Sequence, residues 1–309
     1  MDRQKLFTWA PAVIFFALVC ALLWGSAFPL VKIGFRLLEI ERNTGGKLYF
    51  AAYRFLLAGL MIFAAVRLTG RSILLPEPRD YATLFLLGLL QTTLMYTFFY
   101  IGLSNTTGMK TAIINGSGSF FIALSSHLWM KDDVLTPKKN IGLVLGFLGI
   151  IIVNLNKSGF DFVFRLTGEG FVLLSALAST AGTLLVKKSS PRIHPPLMSA
   201  YQLTLGSLIL LLIALVVEDP AVIRFSGSTF LLLCYLSFLS AFAFTLWYVL
   251  VKYNRLTSMA MYRFLIPVCG TFLSAAILPE ENLDWLALVS LALVSIGMVL
   301  TSWKEAQNT

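Results

Sequence analysis

The sequence predicts an all-α integral membrane protein: a bundle of about ten transmembrane helices built from two inverted five-helix repeats. Three observations carry this. Of 309 residues, 58% are hydrophobic and only 13% charged, with a mean hydropathy of +0.82, a composition suited to lipid rather than water. Apolar runs of spanning length recur, separated by short loops such as "LLPEPRD", "KDDVLTPKK", "SSPRIHPP" and "LPEENLD", where Gly, Pro, Asn and acidic residues collect. The two halves of the chain also align without gaps over long stretches.

The runs place helices near 10–33, 48–66, 81–103, 107–130, 139–155, 169–187, 196–217, 228–250, 257–278 and 284–302. The first follows Arg3 and Lys5 and is longer than the roughly 7–15 residues of a signal-peptide core, so it is expected to stay as a span. The second carries Arg54. The third carries Thr92, Tyr96 and Tyr100 at spacing four, and the eighth carries Ser240, Phe244 and Tyr248 in the same pattern. The fourth opens with "NTTGMKTA" and continues through "NGSGS". The small residues there, and in "SALAST" of the sixth, permit close helix approach. The fifth and seventh follow basic loops, the ninth holds Arg263 and Pro267, and the tenth follows "LPEENLD".

The net charge of +9 would suggest nucleic acid in a soluble chain. Here the basic residues sit in loops and report topology instead. With the N-terminus inside, 14 Lys and Arg fall on inner loops, against 7 on outer loops and 3 within spans. Both termini are expected to be cytoplasmic, and the protein to sit in the cytoplasmic (inner) membrane. Cys20, Cys234 and Cys269 lie in apolar runs, which points to packing rather than disulfides or zinc.

The repeat has a register. An offset of 148 residues sets Asp132 on Glu280, Gly149 on Gly297, Tyr53 on Tyr201, Tyr96 on Phe244, Tyr100 on Tyr248 and Asn115 on Arg263. The first helices need an offset of 155, with "PLVK" on "LLVK", because the loop after the first helix is longer. The halves are expected at 1–160 and 161–309. An odd number of helices in each half turns the two in opposite senses, as in many transporters.

"WGSAFPLVK" in the first helix, "NTTGMKTA" opening the fourth, "WMKDD" and "LPEEN" closing the fourth and ninth, and the duplicated layout resemble the drug/metabolite transporter superfamily, EamA-like branch. Two positions depart from that pattern. Lys131-Asp132 replaces the usual Gly-Glu at the end of the fourth helix, and Ser119 replaces its central proline, which Pro267 retains in the ninth. The resemblance implies export of small metabolites or amino acids by alternating access.

Candidate site residues follow from what a bilayer penalises. Pro29 removes a backbone donor, so the first helix is expected to kink or loosen over residues 25–28, with Gly25 and Pro29 as kink or gating positions and Trp24 and Phe28 on one face toward a central path. The other reading is a helix kinked only to pack. Arg54, Lys110 and Arg263 lie inside spans, where each cation costs about 2.5–3.5 kcal/mol at the bilayer centre. All 15 acidic residues fall in loops or at helix ends, so a carboxylate or phosphate on a small-molecule substrate is the expected partner. Lys110, near a helix end, has snorkelling to the interface as its alternative, and Arg54 has backbone carbonyls or loop acids. Arg263, flanked by Tyr262 and aligned with Asn115, is the leading site residue. Tyr96, Tyr100, Phe244 and Tyr248 are expected to wall the site, with packing as the plainer reading, and Pro267 to kink the ninth helix.

Catalysis finds little support. The chain has only His127 and His194 and carries no HExxH, GxxxxGK[ST] or GxSxG. No catalytic residue, metal or cofactor is expected, nor any nucleic-acid partner, and the sequence assigns no oligomeric state. Two alternatives stand beside the exporter: an exchanger of organic anions or phosphorylated metabolites, and a non-transporting membrane scaffold or lipid-handling protein.

Overall fold

The computed structural model describes residues 3–75, 77–106, 108–131, 133–154, 164–278 and 285–302, and every regular element among them is helical. A short helix, Arg3–Thr8, precedes α1 (Ala10–Leu37). There follow α2 (Thr44–Leu68), α3 (Pro78–Asn105), α4 (Gly108–Trp129), α5 (Pro137–Asn154), α6 (Leu166–Ser189), α7 (Pro195–Val217), α8 (Gly227–Tyr253), α9 (Leu256–Ile277) and α10 (Trp285–Ser302). Seven helices among the described residues are long and apolar enough to cross a membrane: α1, α2, α3, α6, α7, α8 and α9. The expected match of Asp132 with Glu280 and the C-terminal tail lie outside the described residues.

Local chemistry sets the ends of these helices. Asn43 caps α2 by accepting from Gly46 N at 2.7 Å, Ser226 and Thr229 form a reciprocal capping box at the start of α8, and prolines occupy the first turns of α1, α3 and α7, where no backbone donor is needed. Within α3 the chain winds as a π-helical turn over Leu89–Leu94. That extra residue re-aims Gln91 and Thr92 relative to the tyrosine stripe that follows.

Packing is by close approach. α2 runs against α7, and α5 against α10. A Cβ on Gly149 would meet Val294 Cγ2 at 2.9 Å and Ser290 O at 3.1 Å, and one on Gly297 would meet Gly142 O at 2.8 Å. Both glycines therefore let backbones touch. α1 lies on α8 and α9, α4 on α6, and α3 on both α6 and α7.

α1 is helical from Ala10 through Pro29 to Leu37. Gly25 seats directly on α9, where a Cβ would lie 2.9 Å from both Cys269 Cβ and Gly270 N. Held against a neighbouring helix, the proline is accommodated without a break. Gly25→Val should therefore destabilise the protein by about 1–3 kcal/mol, because a backbone atom cannot step aside. Thermal unfolding in detergent measures this, and an unchanged midpoint contradicts the contact.

Carboxylates also enter the interior. They lie at helix ends as the sequence placed them, yet Asp80, Asp133 and Glu169 are all buried. Glu169 pairs with Lys110 at 2.9 Å and accepts from Thr106 Oγ1 at 2.6 Å and Arg165 N at 2.7 Å. Asp133 accepts from Ser126 Oγ at 2.6 Å and Thr257 N at 3.1 Å, also meets the Thr257 hydroxyl, and lies 3.8 Å from Lys139. Asp80 faces Arg192 at 3.2 Å. The first two clusters clamp opposite ends of α4, one to the start of α6 and the other to the start of α9.

Candidate functional site

The ninth helix supplies the chemical centre. Pro267 has no N–H to offer the carbonyl four residues earlier, and its ring crowds that carbonyl, which belongs to Arg263. Arg263 O instead accepts from Ile266 N at 3.1 Å, and Phe264 N donates to Met261 O at 3.1 Å. The α-helix is thus interrupted at Arg263 and Phe264, between Leu256–Tyr262 and Leu265–Ile277. The dihedrals there, φ −64° and ψ −26° at Arg263 and φ −66° and ψ −19° at Phe264, are those of a tightened 3₁₀ turn. Pro267→Ala should restore the missing bond and stabilise α9 by about 1–3 kcal/mol. Slower amide exchange across residues 263–268 is the expected readout, and unchanged exchange counts against the proline as cause.

Arg263 is half-buried on this turn, and its Nη2 donates to Ser179 Oγ of α6 at 3.3 Å. Ser179 is in turn held by Gln91 of α3: Gln91 Nε2 donates to Ser179 O at 3.3 Å and to Thr183 Oγ1 at 3.2 Å, and Ser179 Oγ donates to Gln91 Oε1 at 3.5 Å. Arg54, 6% exposed, donates from Nε to Ser240 Oγ of α8 at 2.8 Å, and its guanidinium lies 5.0 Å from the Phe55 ring centroid. Its two terminal nitrogens make no hydrogen bond among the described residues. Tyr96 lies within electrostatic reach of both Arg54 on α2 and Arg263 on α9.

Aromatic rings surround this pair. Tyr96 packs on Phe55 at 4.4 Å and Tyr100 at 6.1 Å; Phe244 meets Trp24 at 5.3 Å, Phe55 at 6.3 Å and Tyr248 at 6.3 Å; Trp24 also meets Trp247 at 5.5 Å. Tyr248 OH donates to Gln202 Oε1 at 2.7 Å, and Gln202 Nε2 donates to Thr92 Oγ1 at 2.6 Å, which ties α8, α7 and α3 together.

Of the residues singled out in sequence, the structure gathers Trp24, Arg54, Tyr96, Tyr100, Phe244, Tyr248 and Arg263 into one connected region. Tyr262 is buried beside Arg263. Asn115 is half-buried on α4, which packs on α9, and makes no hydrogen bond among the described residues. Two others lie apart from the cluster. Phe28 is 49% exposed and its ring covers Gly270. Lys110 is engaged with Glu169 at the end of α4. Sequence reasoning passed over Gln91, Gln202 and Ser179, although an amide inside an apolar run is itself a signal, since it must find partners away from lipid. An open cleft of about 450 Å³ lies elsewhere, at the helix ends around Glu39, Arg42, Asn43 and Glu218.

Known proteins give this geometry a context. The EamA-like transporter family matches residues 11–155 and again residues 166–303. A protein named as an uncharacterized transporter in Archaeoglobus fulgidus is 28% identical over 93% of this chain and 96% of its own length. A protein named as a probable amino-acid metabolite efflux pump in Salmonella typhimurium is 25% identical over 93% of both. A WAT1-related chloroplastic protein of Arabidopsis thaliana is 26% identical over 92% of this chain and 68% of its own. One crystal structure superposes with a TM-score of 0.76 at 16% identity, over 93% of this chain and 96% of that one, and so shares the fold. Two of these relatives are named as a transporter and an efflux pump, and with seven helices fit to span a bilayer among the described residues, the chain is a multi-pass membrane protein that belongs to the EamA-like transporter family.

Proposed function

We propose that this protein is a secondary transporter of the cytoplasmic (inner) membrane that exports small organic metabolites by alternating access, with both termini cytoplasmic. In this reading α4, α5 and α10 also cross, completing ten helices in two inverted halves, 1–160 and 161–309. The contact pattern supports it: under the repeat, α1 on α9 becomes α6 on α4, and the contact of Gly149 with Ser290 becomes that of Gly297 with Gly142. Two halves that exchange conformations open a shared centre first to one side and then to the other.

The observation that carries the reading is Arg263 on the interrupted turn of α9, bonded among the described residues to one serine hydroxyl, with Arg54 also within electrostatic reach of Tyr96. Buried cations need an anionic partner, and a carboxylate or phosphate on the substrate supplies it, with Asn115 assisting and the aromatic rings flanking the rest of the molecule. The name of the Salmonella typhimurium relative supports efflux of amino-acid metabolites as the broad class. The two guanidinium groups favour exchange of organic anions as the second reading, since a counter-anion would then neutralise the site on the return step.

Flux into and out of liposomes reconstituted with the purified protein tests this, using labelled amino acids, organic acids and phosphorylated metabolites with and without a pH gradient. Saturable movement of one class is expected. Movement of none, with vesicles of verified insertion, returns the protein to the scaffold or lipid-handling reading.

A further inference from the structure

Resting on the transport reading above, we propose that the central cluster selects flat apolar organic anions, aromatic monocarboxylates above all, and rejects zwitterionic amino acids that carry the same ring. The inference comes from counting what the cluster has to give. The charged groups there are cations with donors left open, the two terminal nitrogens of Arg54 and what remains of the Arg263 guanidinium beyond its bond to Ser179, and the acceptors beside them, the phenol oxygens of Tyr96 and Tyr100 and the amide of Asn115, are neutral. A carboxylate accepts from such a set, and does so best from two planar guanidinium groups.

An α-ammonium group needs the opposite. It requires acceptors or a negative charge, and the carboxylates buried among the described residues are all committed elsewhere. Asp80 faces Arg192, Asp133 is held by Lys139 and Thr257, and Glu169 by Lys110. The amide oxygen of Gln202 already accepts from Tyr248, and that of Gln91 from Ser179. Aromatic faces also attract cations, but the Phe55 ring is covered by the Arg54 guanidinium, and two cations within reach of Tyr96 repel a third. An ammonium brought here would lose its water for neutral acceptors alone, with two cations and no carboxylate beside it. The apolar body is accounted for separately: Phe55, Tyr96, Phe244 and Trp24 already meet edge to face or tilted at 4.4–6.3 Å, and a planar ring can take the place of one such contact.

The test compares three labelled compounds at neutral pH in liposomes holding the full-length protein: 3-phenylpropanoate, phenylalanine, which differs by one ammonium group, and acetate, which keeps the charge and lacks the ring. Half-saturation for 3-phenylpropanoate should lie about tenfold or more below that for either of the others, a difference of one factor of ten per 1.4 kcal/mol. Phenylalanine moving as well as 3-phenylpropanoate, with both lost in Arg263→Ala, overturns the selectivity and leaves the transport reading standing. Movement of phosphorylated or non-aromatic metabolites alone has the same meaning. Failure of every compound to move overturns both.

Discussion

Arg263→Ala is expected to lower the transport efficiency of the reconstituted protein by about 10- to 100-fold, the scale of about 1.5–3 kcal/mol for a hydrogen bond to a charged group. It should do so without unfolding the protein. Among the described residues the side chain has one hydrogen bond, 3.3 Å to Ser179, and a cation in the bilayer interior costs more than that bond returns, so the thermal midpoint should hold or rise. Arg263→Lys keeps the charge but loses the planar fork, and should recover only part of the activity. Loss confined to half-saturation would mark Arg263 as a ligand of both substrate and transition state, whereas an equal loss in maximal rate would place it in the conformational step. An alanine variant that transports normally removes Arg263 from the site.

How far sequence reached this region depends on the kind of signal. Arg54 and Arg263 stood out because a charge in an apolar run is expensive, and Tyr96, Tyr100, Phe244 and Tyr248 because they recur in one register. The structure draws them together around α2, α3, α8 and α9. The π-helical turn over Leu89–Leu94 was not legible: nothing in "LLQTTL" differs from ordinary helix, and the turn is set by the contacts that Gln91 and Thr92 make with α6 and α7. The behaviour of the two prolines was likewise invisible. Pro29 and Pro267 look alike in sequence, yet α1 stays continuous against Gly270 while α9 tightens at Arg263. Buried carboxylates escaped notice because Glu169 sits at the end of a helix and is covered only when Thr106 and Lys110 fold over it.

That last arrangement gives the second large expected effect. Lys110→Met should destabilise the protein by about 3–5 kcal/mol, since it strands a charge in the interior. Lys110 and Glu169 are 9% and 6% exposed and 2.9 Å apart, so water cannot replace the missing partner. Removing both charges in Lys110→Met with Glu169→Leu should recover most of the loss, because a well-packed apolar pair is often as stable as the ion pair it replaces. Unfolding midpoints of the wild type, the single variant and the double variant decide the matter. A single variant as stable as the wild type means the pair is open to water, and a double variant no better than the single means that Thr106 and Arg165, rather than charge balance, dominate the site.

The claim on which the account rests is that one central site opens to both sides of the membrane, and cysteine accessibility measures that most directly. In a background with Cys20, Cys234 and Cys269 replaced, a single cysteine at position 115 or 263 is treated with an impermeant thiol reagent from each side of sealed vesicles in turn. The account predicts labelling at both positions from both sides, slowed by a transported substrate at position 115, where Arg263 is kept. Labelling from one side alone, or from neither, would contradict it.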